Sequence, residues 1–273
     1  MKRNLLYSVF KSTILLIVFI IILQMVLIAC SLPFYPPEEP PNQQPIVHRE
    51  GTIKRYDMTY EHMITYHIFD TNREGKNVVI IGGIHGNEPA GWQAAAYLVE
   101  NFNFSSGRFL IIPKANPLAI YRNVRTIDGL DLNRHFLGDS YGNIAHQIAA
   151  VITYLIEQFN PCLIIDLHEA ISSTLANSIG HNPCPITKEA AHFAVGYINT
   201  SIYDDLQRPF RVLIGYGPIG SVRNELFLHF NVPVFLIETS RPNNEGLLHN
   251  PVERRIAQHV FLINALLYFY GVY

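Results

Sequence analysis

Four short apolar runs constrain this chain more than any other feature: Val78–Ile81, Phe109–Pro113, Leu163–Ile165 and Val234–Ile237. Each is too short for a helix and shows no polar alternation, so each reads as a strand buried on both faces. Helical patterns lie between them. Pro89 suits the first turn of a helix to about Phe102, with Trp92, Ala95, Ala96, Val99 and Phe102 on one face. Ile144, Ile148, Ile152, Leu155 and Phe159 recur about every four residues and predict a second helix. A last helix opens at Asn250-Pro251 with Asn250 as cap and Glu253 in the first turn. Val252, Ile256, Val260, Ile263 and Leu267 form its expected buried face. Strands alternating with helices predict an α/β fold with a largely parallel central sheet. Sites in such sheets gather at the carboxyl ends of the strands.

The N-terminus reads as an export signal. Lys2, Arg3 and Lys11 precede an uncharged stretch, Ser12 to Ala29, that ends Leu27-Ile28-Ala29-Cys30. This resembles a bacterial lipoprotein signal, with 1–29 removed and Cys30 lipidated. The other reading is an uncleaved anchor helix, and both tether the chain to a membrane outside the cytoplasm. Residues 30–46, rich in proline, form the expected spacer, and 47–273 the expected catalytic domain. Cys162 and Cys184 remain, either as a disulfide or as two buried thiols. The net charge of −2 and the lack of a basic stripe exclude nucleic acid as the main partner.

Polar residues follow three of the apolar runs. His85 and Glu88 stand three apart in Gly82-Gly83-Ile84-His85-Gly86-Asn87-Glu88-Pro89. Alone, that spacing equally fits a histidine in a turn and an acid favoured at a helix start. His168 follows the third run in Asp166-Leu167-His168. Two imidazoles and one carboxylate at adjacent strand ends would suit Zn2+ with an open coordination position. Arg125 and the loop Asp131-Leu132-Asn133-Arg134 offer guanidinium groups that match carboxylates. Glu238 leaves the fourth run, where a carboxylate is costly without a task, and a general base is one such task.

In this order, His85-x-x-Glu88, Arg125, Asn133-Arg134, His168 and Glu238 resemble the zinc carboxypeptidase superfamily over about residues 78–238. The resemblance implies a three-layer α/β/α fold around a mostly parallel mixed sheet. It implies zinc on His85, Glu88 and His168, with Asp131 holding the His85 ring. Arg125 would polarise the scissile carbonyl, Asn133 and Arg134 would hold the substrate carboxylate, and Glu238 would be the base. Tyr216, in Tyr216-Gly217-Pro218, would match the family's mobile tyrosine. Arg223 is a further specificity residue or a solvated surface cation.

Two branches compete. Murein peptide amidases are similar around Ile214–Ser221 and Glu238. Succinylglutamate desuccinylases and aspartoacylases are similar around Gly83–Glu88, but no extra β-domain is evident after Glu238. Export favours the first, so the expected function is hydrolysis of an amide next to a carboxylate in cell-wall peptides. The alternative is an N-acyl amino acid deacylase. A rival of another class is a non-catalytic envelope lipoprotein that binds wall peptides. The expected partners are a small peptide or N-acyl amino acid with a free carboxylate, and a membrane facing the periplasm or exterior.

Overall fold

The four apolar runs are the four parallel strands at the centre of one sheet. The computed structural model describes residues 45–54, 58–170, 174–201, 209–241 and 250–272. The signal segment, Cys30 and most of the spacer lie outside the described residues. The described residues belong to the unit Gln44–Tyr273. Its strands are β1 (Val47–Ile53), β2 (Ile64–Asp70), β3 (Asn77–Gly82), β4 (Arg108–Ile112), β5 (Leu163–Ala170), β6 (Ser178–His181), β7 (Arg211–Ile214) and β8 (Val234–Ser240). They form an eight-stranded sheet in the order β1-β2-β4-β3-β5-β8-β6-β7. β4, β3, β5 and β8 run parallel, β6 and β7 pair parallel, and antiparallel pairs join the rest.

The helices are α1 (Pro89–Glu100), α2 (Pro117–Arg122), α3 (Ile144–Phe159), α4 (Pro185–Ile198), α5 (Val222–Phe230) and α6 (Val252–Phe269). Strand alternation sorts the central side chains into two cores. Val78, Ile80, Leu163, Ile165, Leu167 and Ile237 pack with α1, α4 and α6. Val79, Ile81, Ile164 and Val234 pack with α3 and α5 on the other face. The result is the expected three-layer α/β/α arrangement. Among the described residues, no helix is long and apolar enough to cross a membrane.

Several sequence expectations need correction. β5 and β8 extend past their apolar runs, so His168 and Glu238 lie within strands rather than after them. The buried face of α1 is Ala90, Gly91, Ala94, Ala95 and Leu98, while Trp92 and Ala96 are only partly buried. Small residues face the sheet because the helix approaches it closely: a Cβ on Gly91 would lie 2.5 Å from the Leu167 carbonyl oxygen. α6 begins after Pro251, not Asn250; Ile263 and Leu267 are buried as expected, Ile256 and Val260 pack partly buried against the same core, and Arg255, Gln258, His259, Leu262 and Leu266 are buried as well. Cys162 and Cys184 are free thiols, each half-buried.

His259 lies inside the α6 core, 3.2 Å from Thr239 Oγ1. Burial lowers its imidazole from 6.5 to about 3. The folded chain therefore keeps it neutral, while the unfolded chain takes up a proton below pH 6.5. Stability from this group falls as pH drops from 6.5 toward 3. Between pH 7 and pH 5 the loss is about 2 kcal/mol. His259→Gln should narrow the stability gap to the parent by that amount at pH 5, measured by denaturant unfolding. Parallel pH curves for the two proteins would contradict it.

Candidate metal centre and its cavity

The register of three parallel strands sets the site. Gly82, the last residue of β3, pairs with Leu167 of β5, and His168 pairs with Glu238 of β8. Residues two apart share a face, so Asp166 and His168 point to the α3/α5 side with Ile164. Glu238 points to the same side with Val234. Beyond β3, Gly83 takes φ 76°, and Gly86 packs against α2 so tightly that a Cβ would sit 1.9 Å from the Ala119 carbonyl oxygen. This tight turn returns His85 over the sheet and delivers Glu88 to the N-cap of α1.

His85, Glu88 and His168 are all buried, and one donor atom from each lies within 4.8 Å of the others. His85 Nδ1 is 2.8 Å from Glu88 Oε1, His168 Nδ1 is 2.8 Å from Glu88 Oε2, and the two Nδ1 atoms are 3.1 Å apart. Two nitrogens bound tetrahedrally to one zinc stand about 3.3 Å apart. The far nitrogen of each ring meets a carboxylate: His85 Nε2 is 2.9 Å from Asp131 Oδ1, and His168 Nε2 is 3.0 Å from Asp166 Oδ2. Such partners fix the ring and raise its basicity, as metal-bound imidazoles require. The donor set therefore fits zinc.

Asp131 has a second task, because its Oδ1 also accepts from Asn133 N at 3.0 Å and caps the 3₁₀ turn Leu132–Arg134. Burial works against charge on these groups, but their partners win. His168 and His85 hold Glu88 well below the usual carboxylate range, and His85 and Arg125 do so for Asp131. Asp166 and Glu88 raise the His168 imidazole.

A cavity of about 360 Å³ opens over the three donors. Arg125, Asn133, Arg134, Arg223, Glu238 and Arg241 line it further. Arg125 donates to Glu88 Oε1 at 3.0 Å and Asp131 Oδ2 at 3.1 Å. Asn133 Oδ1 accepts from Val222 N at the start of α5, and Arg134 Nη1 donates to the Asn133 carbonyl. Among the described residues, Glu238 Oε2 is buried without a hydrogen-bond partner, and burial pushes the carboxyl up to about 8. Arg223 is half-buried beside Gly180 and Gly217, with its Nε unpartnered. It lines the cavity.

Tyr216 is the exception. It is 45% exposed, packs against Phe227 and is not part of the cavity wall. Asp166, to which the sequence assigned no role, is fully buried against His168. Its place two residues before His168 on a strand was the available signal.

Residues 74–205 match the family model described as the succinylglutamate desuccinylase/aspartoacylase catalytic domain. A 99-residue stretch is 33% identical to an N-alpha-acetyl-L-2,4-diaminobutyric acid deacetylase of Halomonas elongata. That stretch covers 35% of this chain and only 29% of the relative. An aspartoacylase family protein from Mesorhizobium loti shares the fold with a TM-score of 0.62 at 22% identity, over 85% of this chain and 68% of that one. The D,L-carboxypeptidase Csd4 of Helicobacter pylori gives 0.59 at 18% identity, over 72% and 51%. Residues 74–205 thus resemble the desuccinylase/aspartoacylase catalytic domain, and the chain shares its fold with solved proteins of that family and with Csd4. Enzymes of this family are zinc-dependent amidohydrolases.

Asp166→Asn should weaken zinc binding roughly ten- to hundredfold, whereas His168→Ala should abolish it. Titration of metal-depleted protein against a competing chelator measures both. Unchanged affinity in Asp166→Asn would deny Asp166 its part in holding His168.

Proposed function

We propose that this chain is a zinc-dependent amidohydrolase that cleaves a small amide bearing a free carboxylate, with N-acyl amino acids as the first substrate class. One observation carries this reading: His85, Glu88, His168 and the unpartnered Glu238 Oε2 share one small cavity walled by arginines. Its volume suits a metabolite-sized ligand. The family match over 74–205 supports a deacylase.

Zinc on His85, Glu88 and His168 would polarise the substrate carbonyl and acidify a water. Glu238 Oε2 accepts the water's proton and returns it to the leaving nitrogen. A carboxyl near 8 is well matched to proton exchange at neutral pH. Arg125 donates to the oxygen that gains charge, and Arg134 with Asn133 holds the substrate carboxylate. Arg223 adds a cation to the cavity wall, within electrostatic reach of Glu238, and favours an anionic substrate.

A second reading is a wall-peptide carboxypeptidase or amidase. It draws on the export-type N-terminus and on the fold shared with Csd4. Incubation with N-acyl amino acids and with wall peptides, followed by mass spectrometry of the products, separates the two. Acyl amino acid cleavage is expected, and Glu238→Gln should lower it about 10²- to 10⁴-fold while zinc stays bound. Full activity in Glu238→Gln would overturn the base assignment. A folded protein that turns over neither class would support the non-catalytic binder.

We also propose that Cys30 carries lipid and holds the domain at the cell envelope. Cys30→Ser should move the protein from the membrane to the soluble fraction or block its processing. A variant still found processed and membrane-bound would contradict lipid attachment at Cys30.

A further inference from the structure

Glu88 is the N-cap residue of α1, yet its side chain makes no capping hydrogen bond. Both of its oxygens are turned away from the helix, toward His85, His168 and Arg125. Pro89 has no N–H, so Ala90 carries the first donor of α1 in need of a partner. That partner comes from another element. Glu169 Oε2 of β5 accepts from Ala90 N at 2.8 Å. Strand alternation turns Glu169 away from His168 and toward the α1/α6 layer. There its Oε1 meets Nε of Arg255, in the first turn of α6, and Arg255 Nη1 donates to the Asn250 carbonyl. Glu169 and Arg255 are 4% and 5% exposed. The backbone N–H of Glu169 donates to Glu88 Oε2 at 3.1 Å.

We infer that Glu169, held by Arg255, is a positioning residue for the metal centre: it caps α1 in place of Glu88, leaving the Glu88 carboxylate free to face the two imidazoles. The inference rests on the zinc site proposed above. A helix N-terminus is attractive to any nearby carboxylate. If Glu169 is removed, the Ala90 N–H is bare, and Glu88, two residues before it in sequence and already at the N-cap, is the acid placed to take it. Each Glu88 side chain that turns back to the helix is lost as a metal ligand. Arg255 keeps the buried Glu169 carboxylate compensated. Metal affinity at the β3 and β5 strand ends thereby depends on how α6 docks on the opposite face of the sheet.

The test is the zinc dissociation constant of the metal-depleted full-length protein, read by competition with a chelating dye. Glu169→Ala should weaken binding roughly ten- to hundredfold. Glu169→Gln keeps an oxygen for Ala90 N and should stay within about threefold of the parent, since only the capping acceptor matters here. The paired change Glu169→Met with Arg255→Met leaves no lone buried charge, and should lose affinity as Glu169→Ala does even if that single variant fails to fold. Parent-like affinity in folded Glu169→Ala or in the paired variant overturns the inference. So does an equal loss in Glu169→Gln and Glu169→Ala. His168→Ala, measured alongside, separates the two layers: if the parent binds zinc as tightly as His168→Ala does, the metal site itself falls, and this inference with it.

Discussion

The shared carboxylate of Glu88 organises the site. Its two oxygens each approach one imidazole at 2.8 Å, and a third contact ties it to Arg125. Three separate elements bring these groups together. His85 depends on the tight turn after β3, Glu88 on the start of α1, and His168 on β5. Parallel pairing of β3 with β5 fixes their separation.

Such a cluster is costly to build. Glu88, Asp166, His168 and Glu238 are all nearly or fully buried, and buried charges destabilise a fold unless they are paired. Here most are paired in series: Asp131 to His85, His85 to Glu88, Glu88 to His168, and His168 to Asp166. Glu238 stands outside that chain. Its Oε2 has no partner among the described residues and its proton affinity is raised, the condition expected of a group that handles a proton during turnover. The hydrophobic layers on both faces supply the rigidity that keeps these polar groups in register.

Much of this was legible in the sequence because buried parallel strands leave a plain signature. Three of the four apolar runs end shortly before His85, His168 and Glu238, and α/β topology sends such ends to one edge of the sheet. The outer strands were not legible. β1 carries His48, Arg49 and Glu50 at exposed positions, and β6 is a four-residue strand ending in His181, so neither shows an apolar run. The buried faces of α1 and α6 were only partly legible for a related reason. α1 packs mainly through Ala and Gly, and α6 buries Arg255, Gln258 and His259 beside the expected Ile263 and Leu267, so hydrophobic periodicity found only part of each face. Tyr216 entered by resemblance alone, and the fold leaves it outside the cavity. The pairing of Glu169 with Arg255 joins residues 86 apart in sequence, and only the packing of α6 against the sheet reveals it.

The central claim is that His85, Glu88 and His168 form one zinc site. Zinc K-edge X-ray absorption on the purified full chain tests it most directly. The account predicts one zinc per chain with only nitrogen and oxygen neighbours at about 2.0–2.2 Å, and scattering from two imidazoles. Sulfur neighbours at about 2.3 Å, or folded protein that retains no zinc, would contradict it.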